Sequence, residues 1–420
     1  MTFCGLDFGT SNSTLGAPGA GGLALVALED ESTTLPSAIF FDFQTARPLI
    51  GRAAIQAYIR GNDGRFMRSL KSVLGTDLID QDTLLDKHRI GFRDVLARLV
   101  SGIKARAETV IGGPLDAVVH GRPVHFVDGD DAADRRAEAA LEDIARSAGF
   151  RHVSFQYEPI AAALDYERQV EREEIALIAD IGGGTSDFSI VRLGPARRGK
   201  PDRVGDILAN DGVRIGGTDF DRLLSLKEVM PHLGYQSPMT RPGLLAPNGY
   251  FTDLSSWARI NFLYTPQVRA ELVQVRRESA RPELIDRLTT VIEHQLGHRL
   301  AMNVERAKIK LAEGKAIKLP LDAVEPGLAA LIARHRFEEA TSDLAQSIGR
   351  MVRGCLADAG LGAEAIDAVF LTGGSTLLAN VRQAILRELP AARVVEGDKF
   401  GSVGLGLTLE AAIRYGKASA

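Results

Sequence analysis

The chain has 420 residues, 45% of them hydrophobic, and its 50 basic and 54 acidic side chains give a formal net charge of -4. A domain typically holds about 100–200 residues, so one small domain is excluded and two lobes are expected. The balanced charge offers no excess field for nucleic acid, and no run approaches the roughly 20 apolar residues of a membrane span, so neither partner is expected.

The N-terminus and the cysteines indicate the cellular compartment. The N-terminus lacks a basic stretch followed by an apolar core, so no secretory signal is predicted. Cys4 and Cys355 lie far apart in sequence and supply no disulfide framework. We therefore expect a cytoplasmic protein, and we expect it to be a monomer.

The first part of the chain alternates strands and helices. Residues 2–7 and 13–17 are predicted to form a hairpin around a turn at 9–12. Hydrophobic periodicity then predicts two helices and two strands in alternation: 93–111, 117–120, 130–148 and 152–157. This alternation favours an α/β lobe with a parallel sheet.

The same plan begins again at Ile175. Asp7 and Asp180 each end an apolar strand and each precede a turn of glycine and threonine, so the chain is predicted to contain two halves built alike. The second half continues with a predicted strand at 368–371, a helix at 376–389, a strand at 393–395 and a final helix through Ala412.

A segment between these pieces has a different composition. Residues 226–283 contain six prolines, which are predicted to interrupt any regular element, so this segment is expected to be an elaborated subdomain. Residues 284–312 then carry one apolar face at helical spacing and are predicted to form a helix bent at Gly297.

The two repeated turns have the composition of phosphate-binding loops. Consecutive glycines accept positive φ and carry no Cβ, so their amides can converge on an anion. Two facing cradles are therefore predicted: Gly9, Thr10, Ser11 and Asn12 in the first, and Gly182, Gly183, Gly184 and Thr185 in the second. Two ordinary hairpin turns remain the alternative, above all for the first.

Acidic side chains stand beside both turns. Asp7 and Asp180, at the strand ends, are expected to hold magnesium through its waters, because this ion dehydrates reluctantly. Glu158 leaves a strand just before Pro159 opens a helix, so it sits on a rigid corner. The alternative for Glu158 is a helix-start acid favoured by the macrodipole.

Six motifs in one order carry a family resemblance. They are Gly5 to Ser13, Glu158-Pro159, Asp180 to Asp187, Gly216 to Asp221, Glu305 to Lys308 and Gly373 to Thr376. The chain resembles the ATPase domain of the 70-kilodalton heat-shock chaperones, and within that family it is most similar to the YegD-like branch. The resemblance covers nearly the whole chain.

The resemblance implies a fold and its division. It implies an α/β, actin-like ATPase fold in which two lobes of ribonuclease H-like topology surround a nucleotide cleft. Lobe I would be residues 1–170 and lobe II residues 171–420, with an upper subdomain at 222–310 that contains the insertion 226–283.

The resemblance also implies roles for individual residues. The catalytic group would be Lys71, Glu158, Asp180, Thr185 and Asp187, with Mg²⁺ near Asp7, Asp180 and Glu158. ATP or ADP would be bound by residues of both turns and of four later motifs: Asp7, Gly9, Thr10, Ser11, Asn12, Gly182, Gly183, Gly184, Thr185, Gly216, Gly217, Asp219, Glu305, Lys308, Gly373, Gly374 and Ser375.

The chain departs from the family pattern at the positions that contact the adenine base. The family places two arginines and a serine around the adenine, where this chain has Ile309, Leu377 and Ala312. Losing cation-π contacts worth roughly 0.5–2 kcal/mol each should weaken adenine binding or relax base choice, unless Ile309 and Leu377 form an apolar clamp.

A second departure concerns the partner. The chain stops at residues 416–420, so we expect no separate peptide-binding domain. The insertion 226–283 is then the candidate surface for a protein client or co-factor, and a decorative insertion is the alternative.

These observations predict a chaperone-like protein that binds ATP and slowly hydrolyses it with magnesium, and in which lobe closure switches partner binding. A small-molecule kinase of the same superfold and an actin-like filament protein controlled by nucleotide remain alternatives.

Overall fold

The computed structural model describes residues 2–19, 21–45, 47–200 and 203–416. Residues 417–420 lie outside the described residues. The expectation of no peptide-binding domain partly rests on them. The chain divides into two compact units. We call residues 1–217, 346–377 and 381–420 the main unit, and residues 218–345 and 378–380 the inserted unit. The lobe boundary at 170/171 stays a prediction.

The described residues form the following strands, in chain order: β1 Phe3–Phe8, β2 Asn12–Gly19, β3 Gly22–Leu25, β4 Thr34–Pro36, β5 Ala38–Asp42, β6 Leu49–Ile50, β7 Gly64–Arg68, β8 Asp82–Leu85, β9 His88–Gly91, β10 Ala117–Arg122, β11 His152–Tyr157, β12 Glu174–Ile181, β13 Ser186–Leu193, β14 Ile207–Val213, β15 Ala316–Pro320, β16 Ala329–Ala333, β17 Ala368–Thr372 and β18 Arg393–Glu396.

The α-helices of the same residues are α1 Arg52–Ile59, α2 Phe92–Ile111, α3 Asp131–Ser147, α4 Glu158–Glu167, α5 Gly217–Leu224, α6 Gly249–Leu254, α7 Pro266–Glu278, α8 Pro282–Glu293, α9 Gly297–Glu313, α10 Arg334–Ala340, α11 Ser342–Asp358, α12 Ala379–Glu388 and α13 Ser402–Tyr415. Short 3₁₀ turns matter at two places, Leu70–Val73 and Gly374–Leu377. Within these residues no helix is long and apolar enough to cross a membrane.

The two large sheets of the main unit share one topology. The first has the order β11-β10-β1-β2-β3, with β4 also paired to β2, and the second has the order β18-β17-β12-β13-β14. In each sheet a hairpin strand pairs in parallel with a later strand, which pairs in parallel with the next. The predicted internal repeat is confirmed, and so are the predicted strands in both halves.

The register of the two hairpins places the acidic side chains. Asp7 lies opposite Thr14 in the first hairpin, and Asp180 lies opposite Asp187 in the second. Directly opposed residues have Cβ atoms about 4.5–5.5 Å apart. The second hairpin therefore presents two neighbouring carboxylates where the first presents one carboxylate and one hydroxyl.

Glycines allow the last helix to pack closely in the main unit. A Cβ on Gly406 of α13 would lie 1.7 Å from the carbonyl oxygen of Ala161 in α4, and a Cβ on Gly5 of β1 would lie 2.8 Å from Cβ of Leu407. A buried apolar cluster around these helices includes Phe3 from the first sheet and Phe370 from the second. Helices α4 and α13 thus share one core with both sheets.

The inserted unit contradicts two predictions. Prolines were expected to interrupt every element of 226–283, but Pro266 and Pro282 begin α7 and α8, where proline's missing N–H has no helical partner to lose. The helix expected at 284–312 is two helices, α8 and α9, and the chain turns at Gln295, which has a left-handed φ of 51°.

A third correction concerns the segment after β17. One helix was expected over 376–389, but the 3₁₀ turn Gly374–Leu377 precedes α12, which begins at Ala379. The hydroxyl of Thr376 donates to the carbonyl of Gly373 at 2.7 Å and stabilises the tight turn. Competing side-chain bonds of this kind disfavour an early helix start.

Candidate functional site

The two predicted phosphate turns face each other in the main unit. The turn at 9–12 joins β1 to β2, and the turn at 182–185 joins β12 to β13. A Cβ on Gly183 would lie 2.4 Å from Oγ of Ser11, and a Cβ on Gly184 would lie 2.7 Å from Oγ1 of Thr10. The structure therefore brings together the two turns that the sequence repeat singles out.

The reason for glycine in the second turn differs from the one predicted. Positive φ was expected at Gly182, Gly183 and Gly184, but none of them has a left-handed φ. Close approach requires Gly183 and Gly184 instead, whereas a Cβ on Gly182 would lie an ordinary 3.6 Å from the Thr185 carbonyl oxygen. Besides the contacts with the first turn, a Cβ on Gly216 would lie 2.4 Å from the Gly184 nitrogen. The second turn thus packs against the Ser11 and Thr10 side chains and against Gly216, which leaves no room for a Cβ at Gly183, Gly184 or Gly216.

Hydrogen bonds brace both turns. The Ser37 hydroxyl donates to the Gly9 carbonyl at 2.6 Å, and the Ser37 amide donates to the Ser11 carbonyl at 3.0 Å. In the second turn the Gly182 amide donates to the Thr185 carbonyl, and the Gly217 amide donates to the Gly182 carbonyl, each at 2.9 Å. Such bracing fixes the backbone geometry that an anion would meet.

A lysine and a glutamate form a buried ion pair beside the turns. Lys71 lies on the 3₁₀ turn Leu70–Val73, and its ammonium donates to the Glu158 carboxylate at the start of α4. The two side chains are only 7% and 9% exposed. Burial alone would lower the pKa of Lys71, but the charges of Glu158 and Asp7 raise it. Lys71 therefore stays cationic.

The aspartates of this site are closely coupled. Burial, followed by the charge of Glu158, raises the pKa of Asp7 to about 7. The same two causes raise the pKa of Asp187 to about 7 and the pKa of Asp180 well above 3.8. Perturbed carboxylates around one lysine are characteristic of functional sites.

Asp187 has the most constrained position of the four acids. It is 1% exposed, and its Oδ1 accepts the Val124 amide at 2.6 Å. The hydroxyl of Thr185 also donates to it and lowers its pKa in part. The Thr185 hydroxyl and the Asp187 carboxylate are therefore held together at the second turn.

The turn after β17 packs on the second phosphate turn. The Ser375 hydroxyl donates to the Gly182 carbonyl at 3.0 Å. Gly373 has a left-handed φ of 80°, and a Cβ there would lie 2.3 Å from the Ile181 carbonyl oxygen and 2.8 Å from Oδ1 of Asp180. Gly373, Gly374 and Ser375 thus adjoin the predicted phosphate and metal residues.

Three predicted nucleotide contacts belong to the inserted unit. Asp219 is on α5, and Glu305 and Lys308 are on α9. The Lys308 ammonium lies 2.9 Å from Oδ1 of Asp221 within that unit. Their contact with a nucleotide held by the main unit stays a prediction.

The four carboxylates of the site are the candidate donors for magnesium. Asp7, Glu158, Asp180 and Asp187 together outweigh the single charge of Lys71, so the cluster favours an added cation. Yet in the described ranges no group of three or more acidic, His or Cys side chains is placed to ligate one ion directly. An ion held here would have to keep its own waters, as Mg²⁺ does, and magnesium binding stays a prediction.

Two sheets of one topology, with hairpin turns facing each other beside buried carboxylates, define an actin-like ATPase fold. The Hsp70 protein family model matches residues 3–230 and 278–420, and the chain belongs to this family. Its function is accordingly of the ATP-binding, chaperone type, and members of the family are ATPases. The match omits residues 231–277, which lie inside the predicted insertion. Membership of the YegD-like branch stays a prediction.

Sequence reasoning missed positions that support the site. Ser37 holds the first turn although it is 28 residues from Gly9, and Val124 holds Asp187 across 63 residues. No local signal marks such partners, since serine and valine are common and the contacts are long-range. Ser37 directly follows the short strand β4, which pairs with β2, so pairing of that segment with the hairpin was the available signal.

Proposed function

We propose that this chain is an ATP-driven two-state chaperone-like protein, in which the two facing turns bind the triphosphate of Mg·ATP and slow hydrolysis resets the state. Closure around the nucleotide changes a surface seen by a protein partner. The cytoplasm is the proposed location and a monomer the proposed state; both cysteines are free and buried, as suits a reducing compartment.

One observation carries the proposal: the backbone of Gly183 and Gly184 lies against Ser11 and Thr10. A phosphate chain lying alongside two loops in such contact would meet main-chain donors of both. Hydrolysis of ATP requires mainly positioning and charge compensation, which a braced pair of turns supplies.

The side chains of the site are assigned separate roles in hydrolysis. A bound magnesium ion would neutralise charge on the phosphates, with Asp7, Asp180 and Glu158 holding its waters. Lys71 would compensate charge at the terminal phosphate, and Asp187 with Thr185 would orient the attacking water. The buried pairing of Lys71 with Glu158 supports this division, because it fixes the ammonium beside the carboxylate cluster.

The insertion 226–283 is the proposed partner surface. It contains exposed apolar side chains, with Leu244 at 48%, Leu245 at 55% and Val273 at 51% exposure. The adjacent pair Leu244 and Leu245 would favour an apolar segment of a client protein. A Leu244→Ser, Leu245→Ser double variant should bind a denatured model client less tightly while its ATP turnover is unchanged. Equal client affinity in both proteins would reject the surface.

The central experiment combines ATP or ADP titration with phosphate release, both with and without Mg²⁺. A ligand that binds only the folded state adds about 2.7 kcal/mol of apparent stability at a hundredfold excess over its dissociation constant. We expect stabilisation by both nucleotides and slow, Mg²⁺-dependent phosphate release from ATP. Absence of both effects would reject the proposal.

Two further readouts address the alternatives. A small-molecule kinase would consume ATP faster when a metabolite acceptor is added, and a filament protein would scatter light on addition of ATP. The proposal predicts neither response.

A further inference from the structure

The loop after β18 carries an exposed aromatic side chain next to the candidate site. Phe400 is 47% exposed in the loop between β18 and α13. A Cβ on Gly374 would lie 3.3 Å from Cε1 and 3.5 Å from Cζ of the Phe400 ring. An exposed ring thus stands beside the glycine turn, where a bound ligand could cover it.

The loop that carries this ring is held by hydrogen bonds within itself and to β17. The Phe400 amide donates to Oδ1 of Asp398 at 3.1 Å, and the Thr372 hydroxyl donates to the Asp398 carbonyl at 3.3 Å. The Gly397 amide also donates to the Leu371 carbonyl at 3.1 Å. The ring is therefore presented by a loop tied to the end of β17.

Strand order places three features in a row. β12, β17 and β18 are consecutive parallel strands. Their carboxyl ends carry, in that order, the phosphate turn 182–185, the turn Gly374–Leu377 and the Phe400 loop. In open α/β sheets, ligands bind outside the carboxyl ends of the strands. Two strand spacings amount to about 10 Å, so a nucleotide whose phosphates lie at β12 can bring its base toward β18.

Hydrogen bonding and packing follow the same row. Ser375 donates to Gly182 of the phosphate turn, and its neighbour Gly374 packs on the Phe400 ring. The missing side chain at Gly374 leaves the ring edge close to the turn. A flat ligand lying over this turn would meet the face or edge of the ring.

We infer that Phe400 is the stacking surface for the base of the bound nucleotide, a residue role that rests on the proposed nucleotide function. An aromatic ring contacts the π-face of a base and does not contact its edge groups. Stacking on Phe400 should therefore give adenine and guanine similar affinity. The ring supplies base contact in a site where Leu377, at the end of the adjoining turn, offers an aliphatic side chain only.

The test compares the wild type with Phe400→Leu, which retains an apolar side chain against Gly374 but has no ring. Removing base stacking is expected to weaken ATP and GTP binding by about 5- to 150-fold. Binding of inorganic tripolyphosphate, which has no base, is expected to be unchanged. Phe43→Leu is the matched control, since Phe43 is also exposed, at 40%.

The outcomes separate this inference from the proposed function. If wild-type protein binds ATP and Phe400→Leu binds it equally well, the stacking role is rejected while the function stands. Equal losses for ATP and tripolyphosphate would also reject it, because the effect would then lie in the turn. A wild type that binds neither ligand would reject the function itself. Phe400→Trp should further show tryptophan emission quenched by ATP, and unquenched emission would count against stacking.

Discussion

The Lys71 ammonium is buried against the Glu158 carboxylate, in a cluster that also contains Asp7, Asp180 and Asp187. Residues 71 and 158 come from a 3₁₀ turn and from a helix start that are 87 positions apart. Their pairing holds a positive charge where the repeated hairpins place negative ones. A triphosphate bound at this position would meet that charge.

The role of Lys71 is tested by Lys71→Ala. Removing one well-placed group that stabilises transition-state charge commonly lowers the rate on the order of 10²–10³-fold, whereas ground-state binding should change less. Single-turnover hydrolysis and a separate binding titration measure the two effects. Lys87→Ala, on the exposed β8-β9 hairpin, should leave both unchanged. Unaltered hydrolysis in Lys71→Ala would contradict the assignment.

The contact between the two turns is tested by Gly183→Ala. The added methyl group would overlap Oγ of Ser11, 2.4 Å from the Cβ position, and crowd Cβ of Ser11 at 3.2 Å, so the hydroxyl must rotate away and the turns must shift slightly apart. Overpacking of this kind typically destabilises by about 1–3 kcal/mol, and nucleotide affinity should fall with it. Denaturant unfolding and ATP binding measure the change.

A second substitution makes that test specific. Adding Ser11→Gly removes the clashing hydroxyl and should restore part of the stability and affinity lost in Gly183→Ala. Gly113→Ala is the control, because nothing lies within 4 Å of a Cβ at that position. Strict additivity of the two substitutions would mean that the turns do not touch.

The pH dependence of stability tests the carboxylate cluster. Burial and the charge of Glu158 raise the pKa of Asp7 from 3.8 to about 7. The folded state then holds this proton more tightly than the unfolded state, so the contribution is present below about pH 4 and is lost as pH rises toward about 7.

The comparison is between wild type and Asp7→Asn without divalent metal. Across this window the wild type should lose stability relative to Asp7→Asn, with a slope that can approach about 1.4 kcal/mol per pH unit for one proton. Urea unfolding at several pH values, with a chelator present, gives both curves. Parallel curves would show that Asp7 has an ordinary pKa.

The packing of the last helix is tested by Gly406→Ala. A Cβ at Gly406 would lie 1.7 Å from the Ala161 carbonyl oxygen, a contact that only a shift of α13 relative to α4 can relieve. We expect a loss in unfolding free energy at the upper end of the roughly 1–3 kcal/mol that overpacking typically costs. Gly249→Ala is the control, with nothing within 4 Å of its Cβ position. A loss equal to that of the control would contradict the close packing.

Much of the fold follows from local sequence signals. The strand before Asp7 and the strand before Asp180 carry the same apolar pattern and the same kind of turn, so both hairpins and their repeat were predictable. Helix α3 has a capping Asp130 before it and Gly149, with a φ of 93°, after it, and both are readable in sequence.

Other features depend on tertiary contacts. The prolines of 226–283 signal breaks locally, yet Pro266 opens a helix after Thr265, whose side chain caps it. The three glycines at 182–184 suggest unusual φ, although Gly183 and Gly184 are required by the approach of Ser11 and Thr10 from a distant part of the chain. The sequence around Phe400 does not indicate a binding site, because its proximity to Gly374 arises only in the folded chain.

The most direct test of the central claim is hydrogen–deuterium exchange with and without Mg·ATP. If both turns bind one triphosphate, exchange at residues 9–12 and 182–185 should slow together, with the same dependence on ATP concentration. Protection of only one turn, or of neither, would contradict the paired binding on which the proposed function rests.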